Sequence, residues 1–162
     1  MIDGLLQAAR RPGARQTHVS ERTLWLARGQ AELRTSLSSL GLEAPRPVMV
    51  AGGATDARHV LGQCYPSDQH PPVIVVSDRI TKGSTALGVL LHELIHAALP
   101  EDEEHGPAFR AWARCVGLIG PVGATKPGPR LLPKLAVIQK RIGPLPPAER
   151  GYLLTEQGWA LA

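Results

Sequence analysis

The sequence predicts a single α+β domain, on three observations. Residues 84–99 form a long run with helical periodicity that is apolar nearly all round. Residues 20–40 form a second helical pattern with one apolar face. Between them lie three short strand-like runs, and further helical patterns follow the apolar one. A chain of 162 residues buries roughly two-thirds of its unfolded surface, enough for one core. Its 43 % hydrophobic content is ordinary for a globular domain.

The elements follow in order. Residues 1–18 carry Arg10, Arg11 and Arg15 without the apolar core of a signal peptide, and read as a flexible basic leader. Ser20 is the expected N-cap of the first helix, with Val19 and Leu24 spaced as a hydrophobic staple. Leu26, Leu33, Leu37 and Leu40 keep one face apolar, and Gly41 stops the helix. Strands are expected at 48–51, 59–65 and 73–77, with 66–72 connecting the last two and His70 exposed in that connection. Ser84 is the expected N-cap of the apolar helix, Gly83 eases the turn before it, and Pro100 ends it. A further helix runs from Pro107 through Phe109, Trp112, Ala113, Val116 and Leu118. Gly and Pro cluster from 120 to 129 and read as a loop. Residues 130–142 form the last helix, closed by Gly143-Pro144. The domain is thus expected to span 19–145. The tail 146–162 has poor patterning, with Tyr152 and Trp159 as residues that could dock it.

The apolar helix contains His92-Glu93-Leu94-Ile95-His96, an HExxH pattern. Residues four apart share a helix face, so both histidines point the same way. Their ring nitrogens can then hold one zinc ion at about 2.0–2.1 Å. Glu93 lies about 100° round the helix, within reach of a zinc-bound water as general base. The bland alternative is a buried helix with two hydrogen-bonded histidines. Burial weighs against it, because three polar groups in an apolar helix all need partners and one metal ion supplies them together.

A catalytic zinc needs a third protein ligand and an open fourth position. His105 is the leading candidate. The polar linker 100–104 can turn the chain back, Gly106 permits a sharp bend, and Pro107 suits the start of a helix. Glu103 or Glu104 would serve if His105 were only a surface turn residue.

The stretch from Leu90 to Phe109, with His-Glu-Leu-Ile-His and then His-Gly-Pro-Ala-Phe, resembles the SprT-like (Spartan-type) family of zinc metallopeptidases. The segments Leu61-Gly-Gln-Cys-Tyr and Val73-Ile-Val-Val-Ser resemble the two strands that precede its helix. Ile142-Gly-Pro-Leu-Pro resembles a segment of small phage and bacterial members. The resemblance covers about 100 residues. It implies a small zincin-like domain with a short sheet packed beside the HExxH helix. It also implies one zinc per chain held by His92, His96 and His105, with Glu93 catalytic. Many relatives end in a four-cysteine zinc ribbon, which this chain lacks.

The two cysteines, Cys64 and Cys115, fit no zinc-ribbon spacing and read as buried free thiols in a reducing, cytoplasmic setting. No run approaches the roughly 18 apolar residues of a membrane span. Net charge is +4, distributed as +3 over residues 1–46, −3 over 47–120 and +4 over 121–162. Lys126, Arg130, Lys134, Lys140 and Arg141 are therefore candidate phosphate contacts, with Arg130, Lys134 and Arg141 near one helix face. Aromatic residues are only 4 % and do not interleave with the basic ones, which argues against base stacking.

The expected function is a zinc-dependent endopeptidase acting on protein substrates, with DNA a candidate partner through the basic flanks. Tyr65 or a basic side chain is a candidate oxyanion donor. The alternative is a zinc-stabilised nucleic-acid- or protein-binding module with little peptidase activity. Glu93 argues against it, since metal binding alone needs only the ligands.

Overall fold

A computed structural model describes residues 19–42, 48–67, 71–148, 152–155 and 158–161. The proposed basic leader and His70 lie outside the described residues. The first described helix, α1 (Glu21–Ser39), begins where Ser20 Oγ accepts the Thr23 amide at 3.1 Å. It ends at Leu40, ahead of Gly41 with φ +85°. Leu26, Leu33 and Leu37 are buried as expected, whereas Leu40, Val19 and Leu24 are exposed. Trp25 and Arg22 are buried with the leucines. Trp25 Nε1 donates to Gly143 O at 2.9 Å, and Arg22 donates to the Ile80 and Pro146 carbonyls.

Three strands follow: β1 (Met49–Gly53), β2 (Gly62–Tyr65) and β3 (Val73–Ser77). They form one sheet in the order β1-β3-β2, with β1 parallel and β2 antiparallel to β3. The central strand Val-Ile-Val-Val-Ser is buried throughout, as a β-branched run covered on both faces should be. β2 starts later than the sequence suggests. Thr55 Oγ1 and Arg79 bond the Ala57 and Val60 carbonyls and hold that stretch as a turn.

The HExxH helix is α2 (Gly83–Ala98). It packs on β2, β3 and α1, so it runs through the centre of the core. Its N-cap is Lys82 rather than Ser84, because Ala86 N bonds Lys82 O and puts Ser84 inside the first turn. A short 3₁₀ turn (Glu101–Glu103) leads to α3 (Pro107–Val116). This helix stops at Val116, where Gly117 takes a left-handed φ of +95°. Leu118 therefore belongs to a strand, not to the helix. Phe109, Ala113 and Val116 make the buried face of α3, so Cys115 falls on the opposite face and is exposed, contrary to the expectation of a buried thiol. Cys64 is half-buried, and both cysteines are free thiols.

The stretch read as a loop is more ordered than that. It contains β4 (Leu118–Ile119), a 3₁₀ turn (Val122–Ala124) and β5 (Lys126–Pro127), paired antiparallel. Helix α4 (Leu132–Ile142) then packs on α1 and α2, and Gly143 closes it. The tail backbone forms a hairpin of β6 (Tyr152–Thr155) and β7 (Gly158–Leu161). Docking of Tyr152 and Trp159 lies outside what the described side chains cover. No described helix is long and apolar enough to cross a membrane.

Candidate metal centre

Helix α2 presents His92 and His96 one turn apart, and the turn before α3 returns His105 to them. The three Nε2 atoms form a nearly equilateral triangle: 3.2 Å between His92 and His96, 3.1 Å between His96 and His105, and 3.2 Å between His92 and His105. Each Nε2 is either an N–H or a lone pair, so any assignment of protons leaves at least one pair of like atoms facing. A cation removes the conflict by drawing three lone pairs inward. Nitrogens at this spacing are three corners of a tetrahedron whose centre lies about 1.9–2.0 Å from each, close to a zinc–imidazole bond. The donor set therefore fits a metal ion. Among the described residues this is the one group of His, Cys, Asp or Glu found able to hold one.

The geometry depends on Phe109. Its ring is fully buried and meets all three imidazoles, with centroid distances of 4.7 Å to His92, 4.4 Å to His96 and 4.9 Å to His105. Glu103 has a different task from ligation. Its Oε1 accepts the amides of Ala108 at 2.6 Å and Phe109 at 3.4 Å, satisfying the free donors at the start of α3. That cap sets the position of His105 and Phe109 together. Glu104 is exposed, with φ +43°.

Glu93 is buried beside the cluster, against edge strand β2. A Cβ on Gly62 would come within 2.8 Å of Glu93 Oε1, so this glycine leaves the room the carboxyl occupies. Burial pushes the Glu93 carboxyl up to about 7. Burial likewise holds His92 down to about 3 and His96 down to about 4, helped by repulsion from the neighbouring histidines. Cys64, also on β2, is raised to about 12 by burial and then by the nearby Glu93. Tyr65, a candidate oxyanion donor, instead gives its hydroxyl to Asp56 at 3.0 Å.

One polar contact was not legible in the sequence. His92 Nδ1 lies 2.7 Å from Thr125 Oγ1, immediately before β5.

The five candidate phosphate contacts all lie well after the histidines in sequence, and Lys126 directly follows Thr125, the contact of His92. Lys126, Arg130, Lys134, Lys140 and Arg141 are all exposed. Arg130 precedes α4 rather than lying on it, because Gly128 O accepts the Leu131 and Leu132 amides and starts the helix later. Lys134 and Arg141 share a face of α4, but Arg141 is paired with Glu32 at 2.8 Å.

An α+β domain whose central helix carries HExxH, with a third histidine closing the group, is metallopeptidase-like. The profile of the SprT-like family matches residues 28–126, and the chain belongs to that family. The match begins within α1 and ends in β5, so it includes the three histidines, Glu93, Phe109 and Thr125. No curated protein and no solved structure matches the chain.

The metal-free protein should lose stability as pH falls from about 6.5 towards about 4. An unfolded chain protonates its histidines below 6.5, whereas folded His92 and His96 stay neutral until about 3 and 4. Glu93 opposes this, holding a proton up to about 7 when folded against 4.5 when unfolded. Two histidines against one carboxyl leave a net loss, and Glu93→Gln should steepen it. Urea midpoints of chelator-treated protein at about pH 7 and about pH 5 check this; an equal or higher midpoint at the lower pH contradicts it.

Proposed function

We propose that this chain is a zinc-dependent endopeptidase. The observation that carries the reading is a triangle of three converging imidazole nitrogens, two of them on the same helix as a buried carboxyl poised near neutrality. His92, His96 and His105 would hold the ion. Three neutral imidazoles in tetrahedral array suit zinc. When bound, the ion would supply an activated water and polarise the scissile carbonyl. Glu93 takes a proton from the attacking water and returns it to the leaving nitrogen, which demands a group that both accepts and releases protons near pH 7. A cation at the histidines favours its carboxylate form and readies it as base. The edge strand β2, in contact with Glu93 at Gly62, offers a rail along which an extended protein segment can lie.

Two variants separate ligation from chemistry. The wild-type protein should carry about one zinc per chain and cleave an unfolded protein. Glu93→Gln should keep the fold and the zinc while losing about 10²–10⁴-fold in turnover. His105→Ala should lose zinc. Wild-type turnover by Glu93→Gln would exclude the mechanism, and full zinc content in His105→Ala would exclude the ligand assignment.

DNA-associated proteins are the substrate class we propose to test first. Residues 121–148 contain no acidic residue, and Lys126, Arg130, Lys134 and Lys140 are exposed there. Phosphate contacts of this kind weaken steeply with salt and show little sequence preference. Arg130→Glu combined with Lys134→Glu should reduce duplex binding at low salt and leave zinc content unchanged. No binding by the wild-type protein at low salt would end the idea.

A further inference from the structure

We propose that Thr125 is a positioning residue for His92, delivered to it by the β4–β5 hairpin, and that this hairpin is a built part of the metal centre. The inference rests on the reading that the three histidines hold a metal ion. A histidine that binds metal through Nε2 carries its proton on Nδ1, and an acceptor there fixes the ring and its tautomer. The acceptor at His92 Nδ1 is Thr125 Oγ1 at 2.7 Å.

The approach is matched in register at a second point. Gly88 lies four residues before His92 and so shares its face of α2. A Cβ on Gly88 would stand 2.5 and 2.7 Å from Cγ and Cδ of Pro127. Pro127 therefore rests on the helix where no side chain projects, and Thr125 is two residues earlier. Four helical residues rise roughly 6 Å and two extended residues rise roughly 6.6 Å, so the two contacts fall in step. Side chains two apart on an extended segment also point to the same side. The hairpin is held in turn by strand pairing of Leu118 with Pro127 and by Gly128 N donating to Gly117 O at 2.9 Å. At the other end of the same turn, a Cβ on Gly123 would lie 4.0 Å from His105 Cε1. The segment 123–127 thus borders two of the three proposed ligands and seats against the helix that carries them.

Zinc affinity, measured by competition with a chromophoric chelator, tests the role without reference to turnover. Thr125→Val keeps the branched shape and removes the acceptor, and should weaken zinc binding about 10-fold or more. Thr125→Ser restores the oxygen and should bind within about 3-fold of wild type, since the same contact is made. Gly88→Ala, which pushes Pro127 away, should weaken binding in the same direction as Thr125→Val. Circular dichroism of each variant checks the fold. In zinc-loaded wild type the His92 Nδ1 proton should be seen by NMR in slow exchange, a readout that needs no variant. Wild-type affinity in Thr125→Val, an equal loss in Thr125→Ser, or a rapidly exchanging Nδ1 proton would each overturn the proposal. A wild-type protein that binds no zinc would instead overturn the metal reading beneath it.

Discussion

Three ring nitrogens held about 3 Å apart, with no arrangement of protons that suits all of them, are the constraint on which this structure turns. A buried apolar helix does not accommodate such a group without compensation. The rest of the fold is arranged to hold it. The sheet and α1 and α4 enclose α2, α3 supplies the aromatic ring beneath the imidazoles, and the β4–β5 hairpin reaches the outer nitrogen of His92. Glu103 contributes indirectly. By capping α3 it holds the turn that returns His105 across the nine residues from His96. The alternative in which Glu103 is itself a ligand is disfavoured because its Oε1 already accepts two backbone amides.

Much of this was legible in the sequence, for reasons of range. His92, Glu93 and His96 stand on one helix, so their relation follows from helical period alone. His105 is close enough along the chain for a polar linker and a Gly-Pro start to imply its return. The buried strand 73–77 is readable at its true bounds because an uninterrupted β-branched run has few other uses. Sequence and structure part where tertiary contact overrides local signal. Ser84 is a good capping residue, but the helix starts before it. The stretch 59–61 has strand composition, yet Arg79 bonds its neighbourhood as a turn. Thr125 carries no such signal, since it sits 33 residues from His92 in a segment whose glycines and prolines read as a loop. Gly88 and Gly62 are informative only once the atoms that press against them are known.

The charge pattern is a separate layer. The described cationic residues after 120 stand on the hairpin, the turn before α4 and α4 itself, while half of the acidic residues of the middle segment, Glu101, Asp102, Glu103 and Glu104, lie in the α2–α3 turn. Arg141 shows why sequence charge overstates available charge. Its guanidinium is spent on Glu32, where it ties α4 to α1. Among the described residues the exposed lysines have no such tie, and their use is a question of partners rather than of folding.

Phe109 gives the site a mechanical character. One fully buried ring acts as a common bearing for three imidazoles drawn from two elements, so none of the three is oriented independently of the others. Small-ion selectivity depends on tenths of an ångström at the donor atoms. Here that tolerance is inherited from close packing in the domain interior, which is stiff. Any discrimination between ions would thereby be lodged in an apolar side chain that never meets one. A change of packing several residues away would be read at the nitrogens as a change in preferred ionic radius.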